Sequence, residues 1–154
     1  MKIRAYQSTD QAAVMELLRL NTPTYFAPEE SQDLRYYLDN EREYYFVVEE
    51  NGTVVGCGGF NCADCPPDTA KISWDIFHPD SQGKGLGTAL LKYRLEQLQA
   101  MGICNVVVRT SQLVYCFYEK LGFKLVYQQP NYWAEGFDLY QMLLILEQTP
   151  FDTH

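Results

Sequence analysis

The sequence lacks several features that would assign it to a class at once. No run approaches the roughly 20 apolar residues that a membrane-spanning helix needs, so no membrane partner is expected. The first residues turn polar directly after Met1, without the apolar stretch of a signal peptide, which favours a cytoplasmic protein. Basic residues are few: 12 Lys and Arg stand against 20 Asp and Glu, for a formal net charge of −8. Nucleic acid is an unfavourable partner, because binding phosphates requires a basic face.

Cysteines are few and odd in number, five in 154 residues. Cys62 and Cys65 have the C-x-x-C spacing of a metal site, but neither a second such pair nor a pair of histidines accompanies them. Cys57 and His78 would complete a site only if folding brought them alongside. We expect reduced thiols and no metal ion, as in a reducing compartment.

The chain is predicted to form one domain over residues 1–154, since this length buries enough surface for one ordinary core. Turn residues divide it clearly, and Asn51-Gly52 predicts a tight hairpin between two strands. The predicted strands are 2–7, 44–50, 53–60, 70–78, 103–109, 123–129 and 137–147. The predicted helices run from a Ser8–Gln11 capping box to Leu20, onward from Pro28, over 86–101 and over 112–120. Their order, β-α-α-β-β-β-α-β-α-β-β, indicates a mixed α/β fold.

The strand at 70–78 and the helix at 86–101 form the centre of this predicted fold. Strict alternation in the strand places Ile72, Trp74 and Ile76 on one face and Ser73, Asp75 and Phe77 on the other. The helix carries leucines on one side and ends at Gly102, a residue type that commonly stops helices. The segment between them joins a strand to a helix, and in that context a glycine-rich loop indicates phosphate binding.

That segment, here called the glycine loop, reads Gln82-Gly83-Lys84-Gly85-Leu86-Gly87-Thr88. Glycine permits a positive φ and lets an anion approach the main chain closely. Unpaired amides at the start of a helix, together with its dipole, attract that anion. Lys84 adds a positive charge at the rim. A turn without an anion is the less favoured interpretation, because each glycine is about 1 kcal/mol worse than alanine once inside a helix.

Two other nucleotide-binding motifs fit the loop poorly. A Walker P-loop requires G-x-x-x-x-G-K-[ST], whereas Lys84 follows one glycine and precedes another. A dinucleotide fingerprint requires G-x-G-x-x-G in an opening βαβ unit, whereas this loop has G-x-G-x-G in the middle of the chain. A protein that binds ATP or NAD through this loop is kept as an alternative.

The pattern Gln82-x-x-Gly85-x-Gly87 resembles the Q/R-x-x-G-x-G/A acetyl-CoA signature of the GNAT superfamily of N-acetyltransferases. Phe77-His78-Pro79 is similar to the end of that family's fourth strand, and the segment 117–123 is similar to its Y-x-x-x-G-F helix end. The two motifs occur in the family's order and spacing. The resemblance implies a mixed, mostly antiparallel sheet of about seven strands, flanked by about four helices and splayed between strands 4 and 5.

The resemblance also implies how acetyl-CoA would bind as co-substrate. The main chain of Ile76, Phe77 and His78 would pair with the pantetheine arm, and the amides from Gln82 to Thr88 would hold the diphosphate. The family often has an asparagine after the fifth strand that bonds this arm. Ser111 stands there in this chain and is expected to substitute for it.

Tyr118 matches the family residue that contacts the cofactor and protonates the departing thiolate; an aromatic packed at a helix end is the alternative. For the base, a carboxylate, a histidine or a water chain would serve. Relatives that use a glutamate early in strand 4 have no counterpart here, where Lys71 stands nearest. Asp75 is the first candidate because it shares a face with Phe77. His78 and a water chain are the alternatives.

We therefore predict transfer of an acetyl group from acetyl-CoA to a primary amine by direct attack on the thioester. The acidic surface suits a cationic amine, although charge that serves solubility is the favoured explanation of it. Aromatic residues either shape the acceptor pocket or fill the core: Tyr25, Phe26, Tyr36, Tyr37, Tyr44, Tyr45, Tyr132 and Trp133. The alternatives are a non-catalytic domain that senses acyl-CoA and an acetyltransferase for protein N-termini or lysines. The resemblance also makes a homodimer an expectation.

Overall fold

The computed structural model describes residues 1–147, where one seven-stranded sheet has the order β1-β2-β3-β4-β5-β7-β6. The strands are β1 Lys2–Ala5, β2 Tyr44–Glu50, β3 Thr53–Asn61, β4 Thr69–Phe77, β5 Asn105–Thr110, β6 Lys124–Ala134 and β7 Phe137–Ile145. The α-helices in this range are α1 Gln11–Leu20, α2 Glu30–Tyr36, α3 Leu86–Ala100 and α4 Tyr115–Lys120. The predicted α/β class, with a mostly antiparallel sheet and four helices, is confirmed. Residues 148–154 of the predicted domain lie outside the described residues.

The core has one part on each face of the sheet. On one face, α3 and α4 pack through residues such as Leu90, Leu98 and Tyr118. On the other, α1 and α2 pack through residues such as Val14 and Leu34. Each helix presents apolar residues at helical spacing to the strands, so the sheet is covered on both sides.

The sheet is open at its centre. The strands β4 and β5 are parallel but pair only over Thr69–Lys71 and Asn105–Val107. The other neighbouring pairs in the described sheet are antiparallel. Beyond the short parallel ladder, β4 and β5 diverge, which confirms the predicted splay. The resulting wedge lies at the carboxyl ends of both strands, directly beside the glycine loop.

A bulge interrupts β4. Two of its residues, Trp74 and Asp75, lie opposite the single residue Gly58 of β3. Trp74 takes a left-handed φ of +49°, a backbone state that costs on the order of 1–3 kcal/mol for a residue with a side chain. The predicted strict alternation is therefore wrong: Ile72 packs with α3, whereas Trp74 and Ile76 pack with α1 and α2. A bulge turns the following side chains to new directions.

Helix starts differ from the sequence prediction for local reasons. The predicted capping box at Ser8 is replaced by a 3₁₀ turn, in which the Asp10 carboxylate accepts the Gln7 N–H at 2.8 Å. The predicted helix at 112–120 begins only at Tyr115. The residues before it form a separate turn, in which the Ser111 carbonyl accepts the N–H groups of Val114 and Tyr115. The sixth strand is longer than predicted and ends at the Glu135-Gly136 turn.

Within the described range, no helix has the length and apolar character needed to cross a membrane. The same 147 residues contain no group of three or more His, Cys, Asp or Glu side chains placed to hold a metal ion. Their five cysteines are free thiols, of which Cys57 is buried.

Candidate active site

A cavity of about 600 Å³ opens where β4 and β5 separate. Its walls come from the ends of both strands, the glycine loop, α4, the α1–α2 connection and the β6–β7 hairpin. A cavity of this size suits a small-molecule ligand. The segments that line it are far apart in sequence, and the sheet order brings them together.

The glycine loop is shaped for the close approach of a ligand. Gly83 and Gly85 have left-handed φ angles of +83° and +80°. A Cβ on either residue would have no heavy atom within 4 Å, so the main chain here is open to the outside. Gly85 is the N-cap of α3, whose first amides lack partners within the helix. This helix start therefore offers donors and a positive dipole end to an anion.

The members of the loop do not all play the same part. Six of them line the cavity: Gln82, Gly83, Gly85, Leu86, Gly87 and Thr88. Lys84 is solvent-exposed at the rim. A Cβ on Gly87 would lie 3.1 Å from Phe117 and 3.5 Å from Phe77. The third glycine thus allows close packing with α4 and β4, while the first two expose the main chain.

The main chain at the end of β4 faces two ways. The His78 N–H donates to the Val55 carbonyl at 2.8 Å. Because antiparallel pairs alternate, the main-chain groups of Phe77 point away from β3 and toward the wedge. The Phe77 carbonyl accepts from Asn21 Nδ2 at 2.9 Å, and Asn21 Oδ1 accepts from Gln82 Nε2 at 3.2 Å. Asn21 therefore ties the end of α1 to both the strand end and the glycine loop.

Three side chains form one hydrogen-bonded group beside the cavity, here called the Tyr118–Asp75–Arg94 group. The Tyr118 hydroxyl donates to Asp75 Oδ2 at 2.6 Å. Arg94 is 0% exposed and donates from Nη1 to Oδ1 and from Nη2 to Oδ2, the latter at 2.9 Å. Both carboxylate oxygens of Asp75 are thereby engaged. The aspartate joins a buried cation to a buried phenol.

The electrostatics of the group keep both donors protonated. Burial, and then the neighbouring Asp75 carboxylate, raise the pKa of Tyr118 well above its usual value. Burial acts to lower the pKa of Arg94, but the charge and hydrogen bonds of Asp75 outweigh it, and the net direction is upward. At neutral pH, Tyr118 is therefore a hydrogen-bond donor rather than a phenolate.

Gly58 leaves the space that this group occupies. A Cβ on Gly58 would collide with Asp75 Oδ1 and lie 3.0 Å from Arg94 Nη1. The bulge in β4 turns Asp75 toward α3, and the missing side chain on β3 gives the carboxylate room. Together they place the acceptor of the Tyr118 hydrogen bond.

The opposite wall of the cavity is largely aromatic. Phe26 and Trp74 stack with ring centroids 6.2 Å apart and planes at 18°. Trp133 and Phe137 line the cavity from the β6–β7 hairpin. Two charged side chains also line this wall, Arg109 and the buried Glu30, whose pKa is raised by its burial.

Residues 14–123, more than half of the chain, match the family model described as the acetyltransferase (GNAT) family. The chain belongs to the GNAT acetyltransferase family. An acetyltransferase of Yersinia pestis (strain Pestoides F) is 30% identical over 136 residues, which cover 80% of this chain and 88% of the relative.

Two further comparisons place this GNAT chain among longer relatives and solved structures. The amino-acid acetyltransferase of Pasteurella multocida (strain Pm70) is 29% identical over 129 residues, which are 80% of this chain. This chain spans only 27% of the length of that relative. The structure of yncA from Salmonella typhimurium with its cofactor acetyl-CoA is 25% identical, with a TM-score of 0.75, and covers 97% of this chain and 95% of that one.

The structure brings most of the predicted site residues to one cavity, but it gives some of them other partners. Ile76 pairs with Cys57 of β3, and the His78 N–H also faces β3. Of the three residues expected to bond a pantetheine arm, only Phe77 turns its main chain toward the wedge. The reason is geometric, since main-chain groups alternate in direction along a strand.

Other candidates have structural tasks within this GNAT fold. The His78 Nδ1 accepts the Asp80 N–H at 3.0 Å and so closes the turn after β4. Ser111 lines the cavity, but its hydroxyl accepts the Leu113 N–H at 3.2 Å. Asp75, expected as the base, has both oxygens engaged, and the geometry favours a positioning role for it instead.

The aromatic residues divide between cavity, core and surface. Tyr25, Phe26 and Trp133 line the cavity. Tyr37 and Tyr45 are buried, with their hydroxyls bonded at 2.7 Å to Asn61 Oδ1 and at 2.8 Å to the Trp74 carbonyl. The rest of the predicted set lies at the surface: Tyr36, Tyr44 and Tyr132. The core interpretation thus fits Tyr37 and Tyr45, a pocket role stays a prediction for the three residues that line the cavity, and the three surface residues fit neither.

Arg94 is one of the site residues that sequence reasoning missed, together with Asn21 and Arg109. Arg94 lies four residues after Leu90 and four before Leu98, in the middle of the leucine stripe of α3. An arginine at such a position must be buried, and a buried guanidinium requires an anionic partner. Asp75, the acidic residue of the preceding strand, was the obvious candidate for that partner.

Proposed function

We propose that this protein transfers an acetyl group from acetyl-CoA to a primary amine by direct attack of the amine on the thioester. One observation carries the proposal: the open glycine loop and Tyr118 line the same cavity, at the point where β4 and β5 separate. Acetyl-CoA has phosphates at one end and a thioester at the other. The wedge offers an anion site for the phosphates and a buried proton donor for the thioester sulfur.

The glycine loop would hold the diphosphate. The amides between Gln82 and Thr88 lie at the positive end of α3, and the left-handed glycines expose them. The main chain of Phe77 would pair with the pantetheine arm as a neighbouring strand does. Ser111 lines the same cavity and would contribute a hydroxyl to this arm.

Tyr118 would assist departure of the thiol. As the amine nitrogen bonds to the acetyl carbon, the carbon–sulfur bond breaks and negative charge collects on sulfur. The raised pKa of Tyr118 favours a hydrogen bond to this sulfur over early release of the proton. The Tyr118 hydroxyl then transfers its hydrogen bond, and finally its proton, from Asp75 to the leaving sulfur. The new amide nitrogen loses one proton, and water carries that proton back to the Tyr118 oxygen.

Deprotonation of the acceptor ammonium is assigned to water. Asp75 has no free oxygen for this task, since Arg94 and Tyr118 occupy both. The His78 Nδ1 is engaged in the turn after β4. A solvent-exposed amine can lose its proton to water before it attacks, so the geometry needs no dedicated base.

Release of free CoA thiol with a panel of amines tests the proposal. Polyamines, aminoglycosides, amino acids and peptides should be compared, with small-molecule amines expected to react in preference to protein N-termini. Binding of acetyl-CoA without thiol release across the panel would contradict transfer and favour a sensing domain. Binding of ATP or NAD as tight as that of CoA would favour a general nucleotide site.

Replacement of Tyr118 by phenylalanine should lower kcat by at least about tenfold while leaving CoA affinity nearly unchanged. The variant removes the hydrogen-bond donor to the leaving sulfur, and such proton donors typically contribute about 10²–10⁴-fold to rate. Steady-state kinetics and calorimetry measure the two quantities. The matched control is Tyr37→Phe, which removes a buried hydroxyl bonded to Asn61. Wild-type kcat in Tyr118→Phe would exclude this residue from the mechanism.

A further inference from the structure

Arg109 holds a distinctive position in the cavity. It lies near the end of β5 and lines the cavity wall. Val106 and Val108 of the same strand pack with α3, so alternation places Arg109 on the opposite face, that of α1 and α2. Trp74 packs on this same face. The guanidinium therefore stands on the side of the wedge away from the Tyr118–Asp75–Arg94 group.

Aromatic rings fix the guanidinium in place. Its carbon lies 5.0 Å from the ring centroid of Tyr132 and 5.7 Å from that of Trp133. Nη2 donates to the Tyr132 hydroxyl at 2.8 Å. Trp133 is itself held by a hydrogen bond of 3.1 Å to the Thr110 carbonyl. A side chain held in this way loses little further freedom when it binds a ligand.

The positive charge of Arg109 has no acidic partner in the part of the chain that the structure describes. Within residues 1–147, Arg4, Arg19 and Arg94 each form an ion pair with a carboxylate, and Arg109 forms none. A guanidinium carries five N–H donors, of which one bonds Tyr132. Half-buried and aimed at a cavity, it has donors left for a planar anion.

We propose that Arg109 binds a carboxylate of the acceptor, so that the acceptor is an amino-acid-like molecule that carries both the reactive amine and this anion. The stacked pair of Phe26 and Trp74 in the same cavity favours an apolar body between the two polar ends. This inference rests on the proposed acetyl transfer, because it names the acceptor class of that same site.

Charge distinguishes this acceptor from the cationic one that the acidic composition suggested. The net charge of −8 attracts polycations to the surface in general. Inside the cavity, however, Arg109 repels a second positive charge. Glu30 also lines the cavity, but it accepts the Ala27 N–H at 2.8 Å and forms no ion pair with Arg109 within residues 1–147. The carboxylate must also approach an acidic protein, so its affinity would depend on Arg109 and not on long-range attraction.

Paired ligands that differ only in the carboxylate test the inference without requiring turnover. We would titrate the CoA-saturated protein with N-acetyl-L-phenylalanine and with N-acetyl-L-phenylalaninamide, and repeat both with the leucine pair. The acid should bind at least about tenfold more tightly than the amide, the size of one charge-assisted bidentate contact. In Arg109→Gln the two should bind equally. The matched control is Arg42→Gln, since Arg42 stacks on the Tyr6 ring at 4.8 Å and does not line the cavity.

The outcomes separate this inference from the proposed function. Equal affinity of acid and amide for the wild-type protein, or no binding of either, would overturn the role of Arg109. Discrimination that survives in Arg109→Gln would do the same. Discrimination that depends on Arg109 supports the role even if free amino acids give no thiol release; that second result would count against acetyl transfer alone.

Discussion

Replacement of Gly85 by valine is expected to weaken CoA binding by at least about a hundredfold. Gly85 has a φ of +80°, and a Cβ there would project into open space beside the start of α3. A diphosphate that contacts the amides of the loop would need that space. Loss of even two charge-assisted hydrogen bonds, at about 1.5–3 kcal/mol each, accounts for an effect of this size. Calorimetric titration with CoA measures it.

Gly85→Val could weaken CoA binding in two ways, by backbone strain at a left-handed residue or by filling the space of the anion, and a control must separate them. Gly102 offers the matched control, because it also has a φ of +80° and no heavy atom within 4 Å of an added Cβ. It lies just after the far end of α3, away from the cavity. Gly102→Val should lose comparable stability and keep its CoA affinity. Retained affinity in Gly85→Val would remove the loop from the binding site.

Replacement of Arg94 by methionine is expected to lower the free energy of unfolding by about 3–5 kcal/mol, the range observed when one partner of a buried ion pair is removed. Arg94 is 0% exposed and holds both oxygens of Asp75. Its loss leaves a carboxylate with only the Tyr118 hydroxyl as partner. Urea unfolding followed by circular dichroism gives the measurement. Turnover should fall as well, because Asp75 no longer holds Tyr118 in one position.

A second substitution distinguishes the lost ion pair from a general packing defect. In the double variant Arg94→Met with Asp75→Asn, the unpaired charge is gone, and much of the stability should return. Arg19→Met is the surface control, since Arg19 pairs with Glu16 in an exposed position and such pairs contribute about 0–1 kcal/mol. A loss below about 1 kcal/mol in Arg94→Met, or no recovery in the double variant, would contradict the structural role of the pair.

The glycine loop could be predicted from sequence because its physics is local. Neighbouring residues determine each of its three parts: the strand, the turn with glycines at positions that need a positive φ, and the amphipathic helix. The structure gives the left-handed angles at Gly83 and Gly85. The mixed α/β class followed in the same way from periodicity and turn residues, whereas the family resemblance supplied the mostly antiparallel sheet and the splay between β4 and β5.

The geometry around Asp75 could not be read from the strand alone. The residues from Ile72 to Phe77 alternate in sequence as they would in a regular strand, yet the bulge shifts the pattern by one position. Its cause is non-local: Gly58 on β3 leaves room for the carboxylate, and Arg94 on α3 binds it. Pairing between a strand and a helix depends on tertiary packing, which periodicity does not report.

The aromatic side of the cavity could be predicted from sequence only in part, because sequence reasoning named Phe26 and Trp133 but could not decide between pocket and core. Phe26, Trp74 and Trp133 come from three separate segments that only the sheet order brings together. Arg109 is one charged residue at the end of an apolar strand, and its lack of an ionic partner within residues 1–147 is apparent only from the structure. Sequence pattern located the half of the wedge that holds the glycine loop, and the fold brought the other half together.

Binding of CoA compared with binding of pantetheine, which lacks the diphosphate, tests the central claim most directly. If main-chain donors at the start of α3 hold the diphosphate, calorimetry should show saturable binding of CoA and affinity for pantetheine lower by at least about a hundredfold. No heat of binding with CoA, or equal affinity for the two ligands, would contradict the account.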